Sequence, residues 1–266
     1  MEEILVSGKT LPEAYHQALC ALDYSGELVP CPDYNTRQVE VSLTMKVEEP
    51  LAEARISRLF VGGPSDLEQY IREMLDGILD FEIDRGNWKY TYHDRMTNYW
   101  VDDCKNFPET HQYNQVKFII EDLKRNPYSR RAVIDVRDNS EDAYSDDPAC
   151  LQHLQFFIRN NKLHCKVLFR SNDACKATFM NAYALIMLQK RIADCLGIEV
   201  GTYVHRANSF HCYERDFQLL EKYVDRIENS EIEDLTYNYE GDWDWQMAEE
   251  LPKIIKKVEK LKGGVK

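Results

Sequence analysis

The sequence is short of basic residues, has no long apolar run and holds no closely spaced cysteine pair, and each shortage excludes a class of protein. Thirty-three Lys and Arg stand against 46 Asp and Glu, a formal charge of −13. No general affinity for nucleic acid or an anionic membrane is therefore expected, because those surfaces attract concentrated positive charge. An anionic small ligand needs a local basic pocket instead. No apolar stretch approaches the roughly eighteen residues of a membrane span, and the opening MEEILVSGKT lacks the basic and apolar regions of a signal peptide. A soluble, cytoplasmic protein is the expectation. The eight cysteines, at 20, 31, 104, 150, 165, 175, 195 and 212, form no CxxC pair, and a chain of 266 residues needs no disulfide staples. They read as reduced thiols, mostly small core residues. Repeats and Gly/Ser linkers are missing too, so residues 1–266 read as one domain, with 44% hydrophobic residues to build its core.

What is present is a mixed pattern of periods. Gln38 to Met45 alternates as a strand does, whereas Asp66 to Leu79 and Tyr113 to Lys124 carry apolar residues at helical spacing, the first with Ser65 or Asp66 as cap. Asp138 to Pro148, rich in Asp and Ser, reads as a loop. Three β-rich runs follow, Leu154 to Ile158, Leu163 to Phe169 and Gly201 to Tyr213, with a helix from about Thr178 to Leu196 before the last and Gly197 as its stop. Helices at about Cys212 to Glu228 and Trp245 to Leu261 close the pattern. Strands and helices do not alternate regularly, which argues against a doubly wound parallel sheet. The expected fold is α+β, a mixed, mainly antiparallel sheet flanked by helices.

Asp147-Pro-Ala-Cys150 places a cysteine between a polar loop and a strand, and about twenty residues on a strand ends in Phe169-Arg170-Ser171-Asn-Asp173. A thiol is a poor nucleophile at neutral pH until a neighbouring cation stabilises the thiolate, and an arginine at a strand end can do so. A core cysteine with a surface arginine is the competing reading. The blocks Asp147-Pro-Ala-Cys150-Leu-Gln-His-Leu-Gln155-Phe-Phe, Arg170-Ser-Asn-Asp173, Phe179-Met-Asn181 and His211-Cys-Tyr213 resemble, in order and spacing, the active-site blocks of thymidylate synthases and their hydroxymethylase relatives. Ser129-Arg130-Arg131, Tyr90 five residues before Arg95, and Ile71-Arg-Glu73-Met-Leu resemble family blocks as well, so the likeness covers roughly residues 65 to 216.

The resemblance implies a mechanism and a site. Cys150 attacks C6 of a pyrimidine nucleoside monophosphate, so that C5 takes a one-carbon unit from 5,10-methylenetetrahydrofolate, the reduced folate co-substrate, without a metal. Arg170 holds the phosphate and the thiolate; Arg130 and Arg131 reach the phosphate of the neighbouring subunit in a homodimer with shared active sites. Asn181 faces the base and, as an amide where cytosine-specific members have an aspartate, argues for uracil. Glu73 acts through water on O4 and Tyr90 helps remove the C5 proton. Gln155 and Ser171 belong to the nucleotide site, His211 and Tyr213 meet the sugar hydroxyl, and Asp173 meets the pterin.

The likeness thins in three places. The phosphate-loop arginine has only Arg37 as a candidate, before the strand and without the family's glycines. Lys176-Ala177 stands where a Leu-Gly is usual, and the lid-forming tail is not recognisable in Lys256 to Lys266. Three readings stay open: reductive methylation of dUMP to dTMP, hydroxymethylation of a uridine or cytidine nucleotide, and a nucleotide-binding homologue without chemistry.

Overall fold

The computed structural model describes residues 1–101 and 111–263; Cys104 and Gly264 to Lys266, which belong to the cysteine and tail readings, lie outside the described residues. The first third holds β1 (Glu3–Gly8), α1 (Leu11–Ser25), β2 (Glu27–Cys31), β3 (Thr36–Val47), β4 (Ile56–Ser57), α2 (Pro64–Asp76), α3 (Phe81–Asp84) and α4 (Tyr92–Thr97). Then follow β5 (Tyr99–Val101), β6 (His111–Tyr113), α5 (Gln115–Arg125), β7 (Val133–Asp135), α6 (Asn139–Asp142), β8 (Leu151–Arg159), β9 (Lys162–Phe169) and β10 (Asn172–Asp173). The chain continues through α7 (Thr178–Leu196), β11 (Glu199–Tyr213), α8 (Phe217–Glu228), β12 (Thr236–Tyr237) and α9 (Asp244–Gly263).

The fold is α+β around one mixed sheet ordered β1-β3-β11-β9-β8-β7, with β2 beside β3 and β10 beside β11. The pairs β2–β3, β3–β11, β8–β9 and β7–β8 are antiparallel, and β1–β3, β9–β11 and β10–β11 are parallel. Alternation explains the two faces: Val41, Leu43, Met45 and Val47 of β3 and Leu163, Cys165, Val167 and Phe169 of β9 are buried. On the other face Arg206 donates to Glu3 and to Ser42. Helix α7 covers the buried face with Phe179, Leu185, Ile186 and Ile192, each worth about 1.5–3 kcal/mol on burial. Gln189, fully buried, donates to the carbonyls of Leu163 and Gly201 and ties α7 to two strands. Among the described residues no helix is long and apolar enough to cross a membrane.

Several boundaries differ from the sequence expectation for local reasons. Helix α2 begins at Pro64 and stops at Asp76 because Gly77 takes a left-handed conformation, φ 60°, and the Asp66 carboxylate accepts the Gly63 N–H at 2.8 Å. The expected helix from Cys212 starts only at Phe217: Cys212 and Tyr213 extend β11, and a short 3-10 turn over Glu214–Asp216 intervenes. The polar loop after Asp138 contains α6, since the Asp138 side chain accepts the N–H groups of Ser140 and Glu141. Residues before Gln38 form β1, α1 and β2. Their signals are Thr10 as cap for the Glu13 N–H, Pro12 in the first turn, and buried Leu11, Ala14, Tyr15, Ala18, Leu19 and Leu22 at helical spacing.

Candidate active site

The junction of β8 and β9 builds the centre. Leu151 pairs with Phe169, so the residues flanking that pair, Cys150 and Arg170, become neighbours. The Arg170 N–H donates to the Cys150 carbonyl at 2.9 Å. Its guanidinium turns back, Nε to the Ala149 carbonyl at 3.1 Å and Nη2 to the Pro148 carbonyl at 2.7 Å. Two bonds from one planar fork fix the backbone immediately before the thiol. One strand over, β10 pairs with β11 so that Asp173 stands beside His211. The register of β11 against β3 shifts between Ala207 and Phe210, a bulge that re-aims the residues after it.

These elements enclose a cleft of about 950 Å³. Cys150, Arg170, Ser171, Asp173, Asn181, His211 and Tyr213, all expected site residues, line it together. Cys150 is half-buried. Burial pushes its thiol above the usual range, Arg170 pulls it down and Asp147 pushes it up again. The arginine acts in the expected direction, but desolvation outweighs it and favours the neutral thiol. Asp173 uses Oδ1 to accept the N–H groups of Cys175 and Lys176, at 3.0 and 2.9 Å, at the entry to α7. His211 is buried, with Nδ1 3.2 Å from the Ser209 carbonyl and 3.4 Å from Ser171 Oγ. Its Nε2 has no partner among the described residues. Tyr213 packs edge-on to His211 with centroids 4.7 Å apart. Asn181 sits in the first turn of α7, buried.

A second cleft of about 380 Å³ adjoins the first through Tyr70, Tyr92 and Asp147, which line both. Glu73 and Tyr90 lie here with Trp88, Met74 and Leu79. Burial raises the Glu73 carboxyl; Gln69, which donates to it at 2.7 Å, and Lys257 oppose the rise. Burial likewise raises the Tyr90 phenol, with Cys150 and Asp147 adding to it and Arg170 opposing. A carboxyl and a phenol held towards their protonated forms suit proton transfer. Apolar and aromatic walls with a few polar groups suit a flat heteroaromatic ring.

Four expected residues lie outside both clefts. Arg130 and Arg131 line a separate hollow of about 760 Å³ with Arg125 and Tyr128. The Asp122 carboxylate, bonded to Ser129 Oγ at 2.5 Å and to Arg125 at 2.8 Å, holds that turn. Both arginines are exposed and, among the described residues, neither forms an ion pair. Gln155 lies on β8 with its amide donating to the Arg130 carbonyl at 3.0 Å. Arg37, at the β2–β3 hairpin, pairs with Glu214. Sequence reasoning passed over Tyr70, Tyr92 and Asn172. Tyr70 falls in the apolar stripe of α2 beside Ile71, where it reads as core, and Tyr92 sits at the start of the short α4.

A cysteine beside an arginine, a buried amide, and a carboxyl and a phenol in the adjoining cleft thus meet in one part of the fold. The family model described as Thymidylate synthase matches residues 67–248. A curated protein of Methanocaldococcus jannaschii named "Putative thymidylate synthase" is 33% identical over 229 residues, covering 83% of this chain and 96% of that protein. The thymidylate synthase of Bacillus subtilis subsp. natto is 33% identical over 135 residues, 47% of this chain and 48% of that protein. Among solved structures, the thermostable thymidylate synthase A from Bacillus subtilis superposes with a TM-score of 0.64 at 18% identity, covering 82% of this chain and 84% of that one. The chain belongs to the thymidylate synthase family.

Proposed function

We propose that this protein transfers a one-carbon unit from methylenetetrahydrofolate to C5 of a uridylate, with reductive methylation of dUMP to dTMP as the reaction. The observation that carries the reading is the meeting of Cys150, Arg170, Asn181, Asp173 and His211 in one cleft that opens onto Glu73 and Tyr90 in the next. The whole chain serves as one catalytic unit.

In this reading the Cys150 sulfur, losing its proton, bonds to C6, and the C5=C6 electron pair moves towards O4. Asn181 donates to O4. C5 then bonds to the one-carbon unit; as Tyr90 with Glu73 relays the C5 proton away, the folate's bond to that carbon breaks, hydride or water adds to the carbon, and the S–C6 bond breaks to return a thiolate that takes back its proton. The reduced folate supplies the carbon and, in methylation, the hydride, leaving dihydrofolate. Arg170 binds the nucleotide phosphate, while Ser171, Gln155, His211 and Tyr213 complete the nucleotide site and Asp173 Oδ2 meets the pterin. Arg130 and Arg131, solvent-facing and unpaired among the described residues, extend to the phosphate bound by a second copy, so the working form is a homodimer; Arg37 joins them only if it leaves Glu214.

One observation favours hydroxymethylation as the second reading: no described residue of α9 lines either cleft, and Arg85 donates to the Leu261 and Lys262 carbonyls at 2.9 and 3.0 Å. A site without a lid admits water to an exocyclic methylene. Mass spectrometry of the products from methylenetetrahydrofolate with dUMP, UMP, dCMP and CMP separates the readings. Methylation adds one methyl and yields dihydrofolate; hydroxymethylation adds one hydroxymethyl and releases tetrahydrofolate. No product from any of the four nucleotides would overturn both.

A further inference from the structure

A line of side-chain hydrogen bonds runs from the middle of the sheet to the wall shared by the two clefts. Tyr203 and His205 stand two apart on β11 and share its buried face, with Tyr203 Oη 3.0 Å from His205 Nδ1. His205 Nε2 lies 2.8 Å from Asn172 Oδ1, Asn172 Nδ2 donates to Asn181 Oδ1 at 2.9 Å, and Asn181 Nδ2 donates to Tyr70 Oη. Four of the five are buried; Tyr70 is half-buried and lines both clefts.

Such a line can run in either sense, and its buried end decides. Tyr203 is fully buried, and among the described residues His205 Nδ1 is the one hydrogen-bond partner of its hydroxyl. In the reverse sense the phenol proton would have no acceptor, so Tyr203 donates and Nδ1 accepts. Burial keeps the His205 ring neutral, holding its pKa down to about 3, which puts the ring proton on Nε2. The Asn172 atom facing that proton, 2.8 Å away, is then the amide oxygen. Asn172 turns its nitrogen to Asn181, Asn181 turns its nitrogen to Tyr70, and the Tyr70 oxygen accepts. The Tyr70 proton is left pointing to an acceptor that none of the described residues supplies.

We propose that this relay fixes base specificity: Tyr70 O–H and the second N–H of Asn181 present two donors to the group at C4 of the pyrimidine, accepting a keto oxygen and rejecting an amino group. Tyr70 is the catalytic residue of the set, because O4 gains negative charge as Cys150 bonds to C6, and a donor aimed there acts on the transition state more than on binding. Asn172 and His205 are positioning residues. The proposal rests on the pyrimidine-nucleotide reading above and goes beyond it, since an isolated amide can turn either way and only the line behind Asn181 removes that freedom.

The test compares wild type, Tyr70→Phe and Asn172→Asp for melting temperature, for nucleotide dissociation constants and for steady-state kinetics on dUMP and dCMP. Tyr70→Phe keeps the ring and fold; it lowers kcat on dUMP by about 10- to 100-fold while KM changes by less than about threefold. In Asn172→Asp the new carboxylate cannot donate to Asn181, whose nitrogen turns to it and whose carbonyl turns to the cleft, so the preference for dUMP over dCMP falls by about tenfold or more. Wild type inactive on every pyrimidine nucleotide overturns the functional reading and the relay with it. Active wild type with Tyr70→Phe unchanged in kcat and in base preference overturns the relay alone, whether or not Asn172→Asp folds.

Discussion

Replacing Arg170 by lysine separates the charge of this side chain from its shape. The guanidinium makes two bonds at once, 3.1 Å to the Ala149 carbonyl and 2.7 Å to the Pro148 carbonyl. An ammonium keeps the positive charge but satisfies at most one of the two carbonyls, without a fork to fix their spacing. A hydrogen bond from a charged donor is worth about 1.5–3 kcal/mol, and because Arg170 is partly exposed the lower end applies. Losing one such bond thus costs about 1.5 kcal/mol, felt at the backbone that carries Cys150. If the nucleophile's position depends on that backbone, kcat/KM for Arg170→Lys falls at least about tenfold, and the melting temperature falls by about 3–6 °C. The rate of Cys150 alkylation by iodoacetamide against pH should keep its midpoint, because the cation near the thiol remains. Wild-type kcat/KM within about threefold, with an unchanged melting temperature, would show that the fork does not hold the site and that only its charge matters.

Asn181→Asp removes the amide donor and should move preference from uridylate towards cytidylate; competition between dUMP and dCMP reads it, and an unchanged ratio would mean the base is recognised elsewhere. Arg131→Ala should weaken nucleotide binding with little change in stability, and mixing it with Cys150→Ser should restore activity through hybrid dimers that hold one complete site; no restoration would count against a shared site. Acid should unfold the protein through its buried histidines. Burial holds His16 down to about 4 and His205 to about 3, against an ordinary 6.5. Both stay neutral in the fold while the unfolded chain takes up protons below pH 6.5, so stability present above that value falls by about 1.4 kcal/mol per histidine per pH unit. Urea midpoints equal at pH 7 and pH 5.5 would contradict it.

Much of the fold was legible because its strands and helices carry one strong period each. The strand at Gln38 to Met45, the helix ended by Gly197 and the strands on either side of residue 160 appear where alternation and capping place them. The cleft residues were legible because short blocks at fixed spacing carry them. What escaped was non-local. Arg37 follows a strand that no local pattern separates from a phosphate loop, and only the β2–β3 hairpin turns it towards Glu214. Tyr70 occupies a helix stripe that reads as core, and His205 and Asn172 are polar residues at buried positions whose partners come from different elements. The thiol's raised pKa was hidden for the same reason, since spacing shows the arginine but not the burial that outweighs it.

The central claim is covalent chemistry at Cys150, and intact-protein mass spectrometry after incubation with 5-fluoro-dUMP and methylenetetrahydrofolate tests it most directly. With fluorine in place of the C5 proton, the step that releases the thiol cannot proceed, so the account predicts a stable mass increase equal to nucleotide plus folate. Peptide mapping should place it on Cys150, and Cys150→Ser should show none. An active protein that gains no mass, or gains it at another residue, would contradict the account.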